Sequence, residues 1–186
     1  GDIIKFRLKH VLERCHMSVY HQLKRDAEYD ALTGIYNRIG FFAKLEQLLK
    51  EKPDAEFAFV RFDVNRFSAV NSYYGMPEGD MLLKSIAACL KQYAAQLPNF
   101  ICGRLEADEF VFCTEYDNQE DVTRLVREMN AKAGHFDISF RIVLSFGIYL
   151  TKGAQASGVQ MLECARIASK RIKGKVIRNY SFYTAE

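Results

Sequence analysis

Two acidic segments far apart in the chain, Phe62-Asp63-Val64-Asn65 and Glu106-Ala107-Asp108-Glu109-Phe110, carry the residue types needed for phosphate chemistry. Each carboxylate is set in an apolar, aromatic run of the kind that forms a buried strand. A bare charge there is costly unless a cation or a hydrogen-bond donor meets it. If the two strands are neighbours, Asp63 and Asp108 converge. Carboxylates about 5 Å apart repel by roughly 3 kcal/mol at an effective dielectric of about 20, and a shared divalent metal with oxygen ligands resolves the repulsion. Magnesium held in this way handles nucleotide phosphates. The plainer alternative makes each acid a strand-end turn or capping residue, and the residue types alone leave both readings open.

These acids need elements to position them. The unbroken apolar stretch 57–64 reads as a central strand. Runs at 100–105 and 110–115, four residues apart, read as a tight hairpin whose turn holds Glu106, Ala107, Asp108 and Glu109. Elsewhere the pattern predicts helices over 37–50, 80–96, 119–133 and 159–173 and strands over 138–149 and 176–183, with 71–79 as a turn region. Helices alternating with strands, one strand pair being a hairpin, make an α/β fold in the broad sense, a mixed sheet with helices packed on it.

Residues 3–29 contain no Pro or Gly and read as one long amphipathic helix of about 40 Å. Its narrow stripe of Ile4, Leu8, Val11, Cys15, Val19 and Leu23 fits pairing with a second copy, and the drift of its steps toward four would locally unwind a regular coiled coil. The alternative is a helix folded back on its own domain. The expected organisation is therefore a signalling, coiled-coil-like helix over 1–29 and a domain over 30–186.

With 186 residues, 49% of them hydrophobic and 14 of them Phe, the chain can bury a proper core. No apolar run approaches the roughly 20 residues that span a bilayer, and no signal peptide is visible. The chain begins at Gly with an element already under way, so it reads as a piece of a longer protein whose sensor or membrane tether lies outside it. Five scattered cysteines lack zinc-site spacing and suit buried thiols in a reducing cytoplasm. A net charge of +3, without a basic stripe interleaved with aromatics, argues against nucleic acid. Six of the thirteen residues from Arg166 to Arg178 are nevertheless basic.

Asp30-Ala-Leu-Thr-Gly-Ile-Tyr-Asn-Arg38 resembles the DxLTGLxNR opening of the GGDEF family, the diguanylate cyclases. Four further segments follow in the family's order: Phe62 to Asn65 with Phe67, Asn71 with Tyr74-Gly75 and Gly79-Asp80, Arg104 to Phe110, and Ser145-Phe146-Gly147-Ile148. The resemblance covers about 30–183. It implies a nucleotidyl-cyclase or ferredoxin-like, mainly antiparallel sheet, in which two facing domains each hold one GTP and join them into cyclic di-GMP. Carried over residue by residue, it implies Asp63, the Val64 carbonyl and Asp108 as ligands of magnesium, two ions in an active enzyme. It implies Glu109 as the catalytic acid, Asn71 and Asp80 as guanine readers, and Lys173 and Arg178 on the phosphates. Such a site would stabilise the charge that develops as a 3′ hydroxyl attacks an α-phosphorus.

The chain departs from the family where chemistry is densest. Glu106 and Ala107 replace both glycines of the signature, and a carboxylate near a triphosphate adds like-charge repulsion. Asn65 replaces an acid, Ser68 a lysine and Met76 a histidine, while Leu97 and Phe100 stand at the ends of the missing Arg-x-x-Asp product-inhibition motif. Arg61 shares a strand face with Asp63 and could pair with Asp63, Asp108 or Glu106, placing a guanidinium where metal belongs. The expectation is a degenerate, regulatory and dimerising domain of a longer cyclic di-GMP signalling protein, with adjacent sensor or catalytic domains, able to bind GTP but with cyclase activity lost or weak. A working cyclase and an interaction domain that binds no nucleotide are its two rivals.

Overall fold

The computed structural model describes residues 2–134, 141–152, 156–172 and 178–184. Its centre is β1 (Phe57–Val64), paired antiparallel with β3 (Glu109–Glu115) on one side and β4 (Leu144–Leu150) on the other. Outside β3 lies β2 (Ile101–Glu106), and outside β4 the short β5 (Tyr180–Phe182) runs parallel to it. The order β2-β3-β1-β4-β5 gives the mixed, mainly antiparallel sheet expected from the sequence.

Strand alternation divides the sheet into two buried faces. Ala58, Val60, Phe62 and Val64 point to one side, where Phe62 stacks on Phe110 at 5.5 Å between centroids and packs against Phe146. That side is covered by α3 (Phe67–Tyr74), α4 (Met76–Gln96) and α5 (Gln119–Ala133), through residues such as Val70, Leu82, Leu90 and Val126. Phe57 and Phe59 point to the other side. They meet Phe41 and Leu45 of α2 (Arg38–Glu51) and Met161 and Ala165 of α6 (Gly158–Lys170).

The long first helix, α1 (Asp2–Glu28), leaves its apolar stripe uncovered, with Ile4 72% and Leu23 64% exposed. It does not fold back on its own domain. The Asn37 side chain links it onward, accepting from Gly40 N as the cap of α2 while its Nδ2 donates to the Ala27 carbonyl.

Three local expectations are corrected. Residues 71–79 are not an open turn: α3 runs to Tyr74, Gly75 breaks the chain at φ 98°, and α4 begins at Met76. Pro77 sits in the first turn of α4, where its missing N–H leaves nothing unpaired. Asp80 is therefore inside α4 and not its cap. The hairpin turn is Ala107-Asp108 alone, with Glu106 and Glu109 paired across it after a register shift between Arg104 and Glu106. At the other end of the chain α6 stops at Lys170, so Lys173 lies outside both that helix and the described residues.

Candidate functional site

The period of two along β1 puts Arg61 and Asp63 on the face of Phe57 and Phe59, toward α6. The register with β3, Arg61 opposite Val111 and Phe62 opposite Phe110, brings Glu109 onto that same face beside them. On the other side of β1, Arg61 faces Gly147 and Asp63 faces Ser145. A Cβ on Gly147 would lie 1.9 Å from the Ala165 carbonyl oxygen, so its absence lets α6 press onto the sheet here. The close approach delivers Arg166, Ser169 and Lys170 to a cavity of about 490 Å³ that Asp63, Asp108 and Glu109 also line. A larger groove of about 1020 Å³, between the end of α1 and α2, is remote from these acids.

At the base of the smaller cavity Arg61 is only 14% exposed. Its Nη1 donates to Asp63 Oδ2 at 2.7 Å and its Nε to Glu109 Oε1 at 2.7 Å. Arg166 clasps the same glutamate through both oxygens, Nη2 to Oε2 at 2.9 Å and Nε to Oε1 at 3.1 Å. Burial alone would push the Glu109 carboxyl up, but the hydrogen bonds from Arg166 and Arg61 outweigh it and hold the group below its ordinary range. Asp108 behaves oppositely. Burial, reinforced by the nearby charge of Asp63, raises it, although Oδ2 accepts from the Val64 N–H at 3.1 Å.

Asp63 and Asp108 thus share one cavity wall, with the Val64 backbone tied to Asp108. The expected pairing of Arg61 is seen with Asp63, while its second partner is Glu109 where Asp108 or Glu106 was the expectation. As they stand these side chains do not fit a divalent ion: the guanidinium occupies carboxylate oxygens that a metal would need. Among the described residues no three His, Cys, Asp or Glu side chains converge to hold one.

The hairpin is braced from behind. Arg104 Nε donates to the Ala107 carbonyl at 2.7 Å, and its Nη1 reaches both oxygens of Asp30. Asp30 also accepts from the Thr33 amide and hydroxyl. The opening motif, distant in sequence, therefore supports the turn that carries Asp108. Ala107 sits at φ 42°, in the left-handed region that favours glycine.

A model of the family described as "Diguanylate cyclase, GGDEF domain" matches residues 27–177. The chain belongs to the GGDEF family. This GGDEF chain is 28% identical over 141 residues to "Probable diguanylate cyclase DgcJ" of Escherichia coli, covering 75% of the chain and 28% of that protein. It is 29% identical over 163 residues to "Bifunctional diguanylate cyclase/cyclic di-GMP phosphodiesterase MucR" of Pseudomonas aeruginosa, covering 84% of the chain and 24% of that protein. The GGDEF chain spans about a quarter of the length of these curated relatives. Among solved structures, the coiled coil and GGDEF domain of DgcB from Caulobacter crescentus, in complex with c-di-GMP, superposes with a TM-score of 0.81 at 20% identity, covering 96% of this chain and 98% of that one. That likeness establishes the fold, long N-terminal helix included.

The remaining expected residues lie elsewhere in this GGDEF fold. Asn71, in the middle of α3, lies against Gly79, where an added Cβ would fall 1.9 Å from Asn71 Oδ1, and that oxygen is buried without a hydrogen-bond partner among the described residues. Asp80, the next residue along α4, is partly exposed. Arg178 stands over the Tyr180 ring at 5.2 Å and is not among the residues lining the acidic cavity. Arg166 and Lys170 do line it, and sequence reasoning missed both. Their signal was present, since both fall in the basic cluster, and the spacing of four sets them on one helical face.

Proposed function

We propose that this chain is a catalytically silent GGDEF module of a cyclic di-GMP signalling protein, serving as a regulatory and dimerising element. One observation carries the reading: Glu109, at the position of the family's catalytic acid, is engaged by two arginines, and Asp63, at a ligand position, is engaged by one of them. A carboxylate so paired is a weak proton acceptor, and both of its oxygens are already engaged by guanidinium groups. Glu106 adds a further negative side chain to the cavity lining. GGDEF membership is shared with relatives named as cyclases and as a bifunctional protein, and the silent reading rests on the departures of this chain.

Binding of GTP without turnover remains part of the proposal. The unpartnered Asn71 Oδ1 supports it, because a buried oxygen without a donor is costly and a guanine edge reached by side-chain rotation would supply one. Incubating the dimeric protein with GTP and magnesium chloride, followed by chromatography for cyclic di-GMP, tests the silent reading: no product is expected, and steady accumulation would establish a working cyclase. Calorimetric titration with a non-hydrolysable GTP analogue then separates a nucleotide-binding module from one that recognises protein alone.

A further inference from the structure

We propose that Arg61 is a tethered cation that permanently occupies the place of a divalent metal, so that the cavity takes no such ion until Arg61 is removed. This deepens the silent reading and rests on it for its meaning, but metal binding is measured independently of product formation. Arg61 and Asp63 are two residues apart on one strand, so they share a face, and the guanidinium reaches its partner through a short covalent tether. An intramolecular partner of this kind acts at an effective concentration of millimolar or more, which a dissolved cation must overcome.

The arginine is also confined. Gly147 opposite it brings α6 down over the strand, and Nη1 reaches Ser169 Oγ at 3.4 Å on that helix. Nε and Nη1 are spent on two different carboxylates, so release to solvent would break both pairs at once and leave Asp63 without its cation, while Glu109 keeps Arg166. The charge balance is local: Arg61 and Arg166 meet Asp63 and Glu109 within 2.9 Å. Asp108, without an arginine of its own, has one oxygen on the Val64 amide. An incoming magnesium ion sheds water reluctantly and asks for near-octahedral oxygen geometry, and here it would find Oδ2 of both aspartates already accepting a hydrogen bond.

Removing the guanidinium inverts the situation. Asp63 loses its partner while Asp108 still feels its charge, and two neighbouring carboxylates become an attractive oxygen site. The test uses the whole chain with magnesium chloride and, separately, manganese chloride as probes, by calorimetry and thermal melting. Wild type should give no saturable heat and an unchanged Tm. Arg61→Gln should melt lower without metal and recover by roughly 3–5 °C at about ten times its Kd. The recovery should vanish in R61Q combined with Asp63→Asn. Saturable binding to wild type that Asp63→Asn abolishes would overturn the proposal, as would an R61Q protein that folds and gains no metal affinity. Should R61Q not fold, the wild-type and Asp63→Asn titrations alone decide it. Metal binding by wild type without cyclic di-GMP formation would defeat this inference and leave the silent reading standing, whereas product formation would defeat the silent reading itself.

Discussion

Asp30 shows how one carboxylate in the opening motif reaches the hairpin. Burial would raise its pKa, but the Thr33 side chain and amide and the Arg104 guanidinium together lower it. A group whose folded pKa is depressed contributes stability above its unfolded pKa and loses that contribution as pH falls through the folded value. Acid melts should therefore show wild type losing stability below about pH 4 through this residue. Asp30→Asn should cost about 2 kcal/mol at pH 7 and flatten that part of the profile, as hydrogen bonds to a charged group imply. Ala107 offers the opposite sign. With φ at 42°, Ala107→Gly should stabilise the domain by roughly 0.5–1 kcal/mol in urea denaturation, because relief of left-handed strain exceeds the added freedom of the unfolded chain. The two acids Asp63 and Asp108 were legible in the sequence because each interrupts an apolar run. The Arg61 to Glu109 contact was not, since it depends on which residues of β1 and β3 face each other, and no local pattern states a register.

Elements place the site by how closely they approach. The closest approach of backbone to backbone at a described glycine is α6 on β4 at Gly147, where a Cβ would meet both the Ala165 carbonyl and the Ser169 amide, and backbone cannot move aside as a flexible side chain can. Gly147→Ala should cost about 3 kcal/mol by chemical denaturation and displace Arg166 from Glu109, which would register as loss of the paired chemical shifts of that arginine. Element starts were hard to read, strands included, since β4 begins at Leu144 and not at 138. Asp80 looked like a start signal because the pattern before it held two glycines and a proline, yet Pro77 is accommodated in a first turn and only Gly75 breaks the chain. The helix over 119–133 was readable to the residue, because Asn118 caps it with a side-chain bond to Asp121 N and its apolar face is narrow and regular.

At the scale of the whole molecule, α1 is an apolar stripe without a cover. Leu8, Val11 and Val19 are 60%, 47% and 59% exposed, and a helix this long does not hold such a surface in water for no partner. The partner proposed is a second α1, which would bury the stripe in a coiled coil interrupted near Cys15. Sedimentation of the chain at tens of micromolar should give a dimer. Leu8→Glu combined with Val19→Glu should give a monomer with unchanged melting of the globular part, since neither side chain touches that part's core. No helix among the described residues is long and apolar enough to cross a membrane.

The order of elements, the acidic residues on strand ends and the family's motifs were all decided by local pattern, because hydrophobic period and turn chemistry act over a few residues. Whether those acids are open or paired was decided only by the tertiary structure. Electrostatic pairing falls within a few ångströms and depends on strand register and on how near α6 can come, neither of which any single segment encodes. In a sheet slipped by one residue between β1 and β3, Arg61 and Asp63 would turn together to the face opposite Glu109, and the Arg61 to Glu109 pair would be lost.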